Sequence, residues 1–324
     1  MQTKSSAEQL LSSCLALSIP REKQNVLWVN SSDPASKVLS LMACHRVHGF
    51  PVWDDDAKLC IGMVSIHDLV ALALEIADYV PAMDNHGRLQ EEELQKQRSY
   101  WHAQRVKPIV DLSRKNEVVP LECNATAWDA LVVLAQGVPR VPVLSQDLQR
   151  IDAIISQSLM VKFLYDNIDK FPQKAKRLVH QIIHLNEPGR PHVISVDEDA
   201  TTIQAFRLIQ NHGITAVAVV NAGGQIVGVI SATDIELIGG DDWLNHLLFI
   251  PCKDFLTYVQ QKNAMENLPP VIDCTPTKTL EGVMKLMVEH HVHRVFVVFT
   301  QRGRLKEELV GIVSMKEVLL EFLK

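Results

Sequence analysis

Apolar and polar positions along the chain follow two alternating periods. Leu280, Val283, Met284, Met287 and Val288 recur at three- and four-residue steps, which predicts a helix with one buried face. Thr277 after Pro276 supplies its start signal. Val295 to Phe299, β-branched and aromatic, predicts a buried strand. Leu309 to Val313 predicts a second, and Glu317 to Leu323 a further helix. The same succession occurs three more times. One copy has Ile203, Phe206 and Ile209 on its helix, then strands over Ala216 to Val220 and Ile226 to Ile230, joined by the turn residues Asn221-Ala222-Gly223-Gly224. Another opens on Asp33-Pro34, an N-cap followed by proline at the first helical position, with Val38, Leu41 and Met42 on the helix and strands over Phe50 to Trp53 and Cys60 to Val64. The remaining copy has Trp128, Leu131, Val132 and Ala135 as its helix face, then strands over Val141 to Leu144 and Ile151 to Ile155.

A short motif closes each copy: apolar residues, a serine, two variable residues and a position that is often acidic. It reads Gly62-Met63-Val64-Ser65-Ile66-His67-Asp68, Ala153-Ile154-Ile155-Ser156-Gln157-Ser158-Leu159, Gly228-Val229-Ile230-Ser231-Ala232-Thr233-Asp234 and Gly311-Ile312-Val313-Ser314-Met315-Lys316-Glu317. The serines are 91, 75 and 83 residues apart, so the copies are modules with variable linkers rather than a solenoid of fixed period. The predicted fold class is α/β (α+β), with four β-α-β-β-α modules. One module alone buries little surface, so pairing is required. Neighbours in sequence are expected to pair. This gives an N-terminal extension over 1–25, a first pair over 26–167 with an inter-repeat helix at 86–105, and a second pair over 168–324.

Composition narrows the function classes. The 324 residues are 47% hydrophobic and 22% charged, and the formal net charge is −6. That balance argues against broad binding to nucleic acid or to acidic membranes, and leaves room for a small cationic pocket. The six cysteines include no C-x-x-C pair and lie scattered in apolar runs, as free thiols in a reducing compartment would. Met1 to Gln24 lacks the pattern of a signal peptide, and no apolar run approaches the roughly 20 residues of a membrane helix. A cytoplasmic or nuclear protein without a membrane segment is expected. Phosphate-loop, nucleophile-elbow, zinc-protease and kinase catalytic motifs are absent, so no enzyme is expected. His290, His291 and His293 lack a completing carboxylate or thiol, and no metal is expected.

The fourfold pattern resembles the cystathionine-β-synthase (CBS) repeat, with copies at about 26–75, 117–165, 192–239 and 271–323. Four such repeats in one chain are similar to the γ regulatory subunit of AMP-activated/sucrose-non-fermenting-type protein kinases. The segments that carry this likeness are Val292-His293-Arg294-Val295-Phe296-Val297-Val298, Val47-His48-Gly49-Phe50-Pro51-Val52-Trp53-Asp54, Val138-Pro139-Arg140-Val141-Pro142-Val143, and Trp101 with Lys107-Pro108-Ile109-Val110.

The resemblance implies an adenine-nucleotide sensor that binds AMP, ADP or ATP in clefts between paired repeats, without a catalytic cofactor. Asp68, Asp234 and Glu317 stand where the family binds ribose, and Leu159 predicts a weakened second site. Arg140, Lys162, His293, Arg294 and His48 are the phosphate candidates, together with Ser231 and Ser314 at helix N-termini, where free N–H groups favour an anion. His48 is read as standing where an arginine is common. Kinase catalytic and scaffold chains are the implied partners. A stand-alone, self-associating CBS sensor of an adenosyl ligand is the alternative. The serines also suit plain N-caps, and the carboxylates suit favourable first-turn charges, so both roles stay open. In the polar helix over 86–105, Tyr100 and Trp101 suit either a partner contact or packing back onto the first pair.

Overall fold

The computed structural model describes residues 6–20, 26–78, 91–147, 150–183, 185, 193–238, 246–265, 271–300 and 307–324. A short helix α1 (Ser6–Ser12) precedes the first repeat, which comprises β1 (Val29–Asn30), α2 (Ala35–His45), β2 (Gly49–Asp54), β3 (Leu59–Ser65) and α3 (Ile66–Asp78). Helix α4 (Glu91–Ala103) leads to the second repeat, α5 (Ala127–Ala135), β4 (Arg140–Leu144), β5 (Ile151–Ser156) and α6 (Gln157–Asp166). The third has β6 (Ser195–Asp197), α7 (Thr202–His212), β7 (Ala216–Val220), β8 (Ile226–Ser231) and a 3-10 helix at Ala232–Leu237, followed by α8 (Cys252–Met265). The fourth has β9 (Asp273–Cys274), α9 (Leu280–Glu289), β10 (Arg294–Thr300), β11 (Glu307–Ser314) and α10 (Met315–Leu323).

Repeats one, three and four each form a three-stranded sheet in which a short first strand runs parallel to the middle strand and the third is antiparallel to it. The second repeat keeps only a single parallel bridge, Leu121 with Val143, in place of the first strand. One hydrogen bond recurs in all four copies and fixes their equivalence. The residue after the motif serine donates its N–H to the carbonyl just before the middle strand: Ile66 to His48 (3.0 Å), Gln157 to Pro139 (3.1 Å), Ala232 to Thr215 (2.9 Å) and Met315 to His293 (3.1 Å).

Start signals differ in detail from the sequence reading. Thr279, not Thr277, caps α9, and its hydroxyl accepts from Gly282 N at 3.2 Å. Pro34 rather than Asp33 precedes α2, while the Asp33 carboxylate accepts from Asn30 N and Lys37 Nζ. In the third repeat the Asn221 side chain accepts from Gly223 N and Gln225 N, both at 3.0 Å, and Gly224 takes the left-handed φ of 73° that closes the hairpin.

The pairing of repeats departs from the expectation. The chain forms two compact units, one of Met1–Val26, Val118–Val193 and Val271–Lys324, the other of Leu27–Glu117 and Ile194–Pro270. One core therefore joins repeats two and four, and the other joins repeats one and three. Adjacency in sequence was the wrong guide because helix faces decide the pairing. In α3, ten of thirteen residues are buried, so a single sheet cannot cover it. Helix α7 and the 3-10 helix of repeat three pack on it instead. In the other unit α10 packs on α5 and α6.

The boundaries at 1–25, 26–167 and 168–324 also change, for a second reason. Each repeat needs a covering segment from elsewhere in the chain. It forms one antiparallel bridge at the start of the repeat's first helix: Pro34 with Arg105, Thr126 with Leu15, Thr201 with Pro251 and Thr279 with Leu178. A turn of helix follows and buries two apolar residues three apart, which are Val106 and Ile109, Ala16 and Ile19, Cys252 and Phe255, and Val179 and Ile182. The N-terminal extension is thus part of the second repeat's core, to which Ala7 and Leu11 of α1 also belong. Residues 1–5, 21–25 and 86–90 of the extension and linker calls lie outside the described residues. Within the described part of the linker, Trp101 is fully buried in the core of repeats one and three, while Tyr100 is exposed.

No helix among the described residues is long and apolar enough to cross a membrane. All six cysteines are free, with Cys44 and Cys60 exposed, and burial pushes the thiols of Cys252 and Cys274 up to about 12. A thiol reagent at pH 8 is therefore expected to label Cys44 and Cys60 in the native protein, and Cys252 and Cys274 only after denaturation. Peptide mapping of the labelled sites checks this.

Candidate functional site

The recurring serine motif is built as a helix start. In repeats one, three and four the carboxylate three residues after the serine accepts both the serine's N–H and its hydroxyl, the reciprocal half of a capping box. For Asp234 the two distances are 2.7 and 2.8 Å, for Asp68 2.6 and 3.1 Å. Glu317 accepts Ser314 N at 2.8 Å and the Ser314 hydroxyl as well, so its extra methylene still reaches the cap. Leu159 cannot accept, and there Ser156 Oγ receives Leu159 N at 3.1 Å and shares a hydrogen bond with Ser158 Oγ at 2.9 Å. Ser156, Ser231 and Ser314 thus stand as N-caps of the helices that follow them.

The three carboxylates differ in their surroundings. Asp68 is fully buried, and its two oxygens also accept from a loop far away in sequence. Ser113 donates its N–H and hydroxyl to Oδ1 at 2.8 and 2.6 Å, and the Asn116 amide donates to Oδ2. Burial raises the Asp68 pKa, while the hydrogen bonds from Ser113 and Ser65 pull the other way. In this structure the Asp68 carboxylate, the ribose candidate of repeat one, accepts from the protein's own Ser65, Ser113 and Asn116. Asp234 is buried, and Glu317 is half-buried.

Strand register places the cationic candidates. Arg140 lies directly opposite Ser156, and Arg294 directly opposite Ser314. Directly opposed residues in an antiparallel pair share one face with Cβ atoms about 5 Å apart. Each arginine therefore stands beside the serine that begins a helix, where an anion is favoured. Arg294 is buried and Arg140 half-buried. The corresponding positions of repeats one and three are Gly49 and Ala216, opposite Ser65 and Ser231. Both arginines thus belong to the unit of repeats two and four, and both aspartates to the other.

His48 and His293 are structural equivalents, each half-buried and each using its carbonyl to receive the helix N-terminus. Gly49 follows His48 at the register position that Arg140 and Arg294 hold in repeats two and four. Lys162 lies on α6, about 7.5 Å along the helix axis from its first residue, and its ammonium pairs with Asp166 at 2.7 Å. The hydroxyls of Ser231 and Ser314 point to Asp234 and Glu317. Asp54, part of the family-like Trp-Asp, has a structural role: it accepts from Asp56 N and Ala57 N and pairs with Lys107 at 2.8 Å. No cluster of three or more His, Cys, Asp or Glu side chains suited to a metal ion occurs among the described residues.

Sequence reasoning missed Ser113 and Asn116. Their spacing of three in a polar stretch is a signal too weak to single them out without the loop's path. It also missed the covering segments, whose paired apolar residues three apart were legible at four places.

Comparison with known proteins adds the following. The CBS-domain family profile matches residues 18–75, 189–236 and 266–324, together about half of the chain. It does not match the second repeat, the copy with Leu159 in place of the acid and only a bridge in place of the first strand. The protein sds23 of Aspergillus niger is 31% identical over 196 residues, which is 59% of this chain and 38% of that protein. The protein SDS23 of Kluyveromyces lactis is 22% identical over 320 residues, 92% of this chain and 60% of that protein. The chain thus spans between about two fifths and three fifths of these relatives. Among solved structures, a Methanocaldococcus jannaschii protein proposed as an archaeal homologue of the AMPK γ subunit superposes with a TM-score of 0.69 at 18% identity. The match covers 95% of this chain and 99% of that one, and it shows the shared fold.

Proposed function

Because this chain belongs to the CBS-domain family, we propose that it is a non-catalytic regulatory protein that binds an adenine nucleotide and passes the bound state to a partner. The observation that carries the reading is the register of Arg140 with Ser156 and of Arg294 with Ser314. It sets a guanidinium, able to bond two phosphate oxygens at once, beside a helix start. Ribose binding falls to Asp234 and Glu317, the first-turn carboxylates of repeats three and four. AMP, ADP and ATP all carry the required phosphate and ribose. Regulation follows from differential affinity: the nucleotide favours one arrangement of the chain, and a partner binds that arrangement more tightly.

In the first form of this reading the partners are the catalytic and scaffold chains of a protein kinase, as the fold shared with the archaeal γ homologue suggests. A second form is a self-associating sensor acting on another target; the relatives carry the name Sds23, with no mention of a kinase. Purification of the native complex separates the two, since only the first predicts a kinase catalytic chain in stoichiometric amount.

Nucleotide binding itself is tested by thermal unfolding with each nucleotide at about one hundred times its dissociation constant. Binding to the folded state alone then adds about 2.7 kcal/mol, and each kcal/mol moves the midpoint by about 2–4 °C in a unit of this size. An unchanged midpoint with AMP, ADP and ATP, measured up to millimolar concentrations, contradicts the proposal.

A further inference from the structure

We infer that the loop Asp111–Asn116 is a built-in competitor for the ribose position of the first repeat, so that Asp68 takes a nucleotide only when this loop leaves. The inference rests on the nucleotide-binding reading above and deepens it. A ribose offers a carboxylate two neighbouring hydroxyl donors. The loop offers Asp68 the Ser113 hydroxyl at 2.6 Å, the Ser113 N–H at 2.8 Å and the Asn116 amide, with the Ser65 hydroxyl at 3.1 Å beside them. The carboxylate is fully buried, and Ser113 and Asn116 are buried with it. A nucleotide and the loop therefore compete for the same oxygens.

The path of the chain after the covering turn distinguishes repeat one from repeat three, which shares its core. In repeat three the covering turn that begins at Cys252 continues as α8 to Met265. In repeat one the covering turn Val106–Ile109 stops, and the chain bends toward Asp68. The bend places two non-glycine residues in the left-handed region, Asp111 at φ 51° and Arg114 at φ 55°. Such residues are held there only by what surrounds them. The Asp111 carboxylate accepts Asn116 N at 2.9 Å, and Asp111 N donates to Met63 O at 3.3 Å, which ties both ends of the bend. The bend thus carries a local conformational cost, offset by the bonds to Asp68, and a ligand that replaces those bonds releases it.

The test is calorimetric titration of the whole chain with AMP, for the parent, for Ser113→Ala/Asn116→Ala, and for that pair combined with Asp68→Ala. The loop proposal predicts one additional AMP bound per chain in the double variant and its loss when Asp68 is also replaced. Unchanged stoichiometry and affinity in a double variant whose circular dichroism matches the parent overturns it while leaving the nucleotide reading intact. Absence of AMP binding to the parent and to both variants instead removes the nucleotide reading and the loop proposal with it. Hydrogen exchange at the Ser113 amide of the unaltered chain gives an answer even if the double variant does not fold. Millimolar AMP is expected to speed this exchange several-fold, and no change overturns the proposal.

Discussion

Phe206→Ala is expected to lower the unfolding free energy by about 3–5 kcal/mol, the usual range for deleting a fully buried phenyl ring. Phe206 lies on α7 with no exposure and meets Phe255 of α8 edge-on, with ring centroids 6.3 Å apart. The loss is not confined to repeat three. Phe206 shares one core with Leu69, Leu72 and Ile76 of α3 in repeat one. The cavity therefore removes contacts from a helix more than a hundred residues away in sequence. Urea denaturation measures the loss, and hydrogen exchange measures its reach. The cross-repeat core predicts that protection falls along α3 as well as α7. Protection that falls in repeat three alone contradicts the pairing of repeats one and three.

The second large effect is on ligand affinity. Arg294→Ala is expected to weaken AMP binding by about ten- to hundred-fold, since a hydrogen bond to a charged group contributes about 1.5–3 kcal/mol. Adenosine, which lacks the phosphate, should bind the variant and the parent alike. That difference separates a phosphate ligand from a residue that only holds β10 against β11. Equal weakening of AMP and adenosine would assign Arg294 a structural role. Arg294→Lys should keep part of the AMP affinity, because an ammonium retains the charge and loses the two-pronged geometry.

Much of the fold was legible because each repeat announces itself by local chemistry. The helix faces at Leu280 and Ile203, the β-branched strands and the turn at Asn221 all use periodicity that the structure keeps. The register that sets Arg294 against Ser314 was within reach too, since both ends of the strand pair are marked by residues of the motif. What was not legible depends on contacts between distant segments. The apolar residues of α3 say that the helix is buried, but nothing in their spacing says that repeat three covers it. Ala16 and Ile19 read as part of an extension, because the helix they complete begins after residue 126. Asp68 and Asp234 are indistinguishable in the motif, and the donors that the loop at Ser113 brings to Asp68 come from 45 residues further along the chain. That His48 and His293 are equivalent was not legible either, because the motif gives no register until Ile66 N is seen bonded to the His48 carbonyl and Met315 N to that of His293.

The most direct test of the nucleotide-sensor account is calorimetric titration of AMP into the whole chain, set beside the same titration of Asp234→Ala. The account predicts binding in the micromolar range, about −8 kcal/mol per site, and at least a tenfold loss of affinity on replacing Asp234. A flat titration of the unaltered chain, or binding to Asp234→Ala as tight as to the parent, would contradict it.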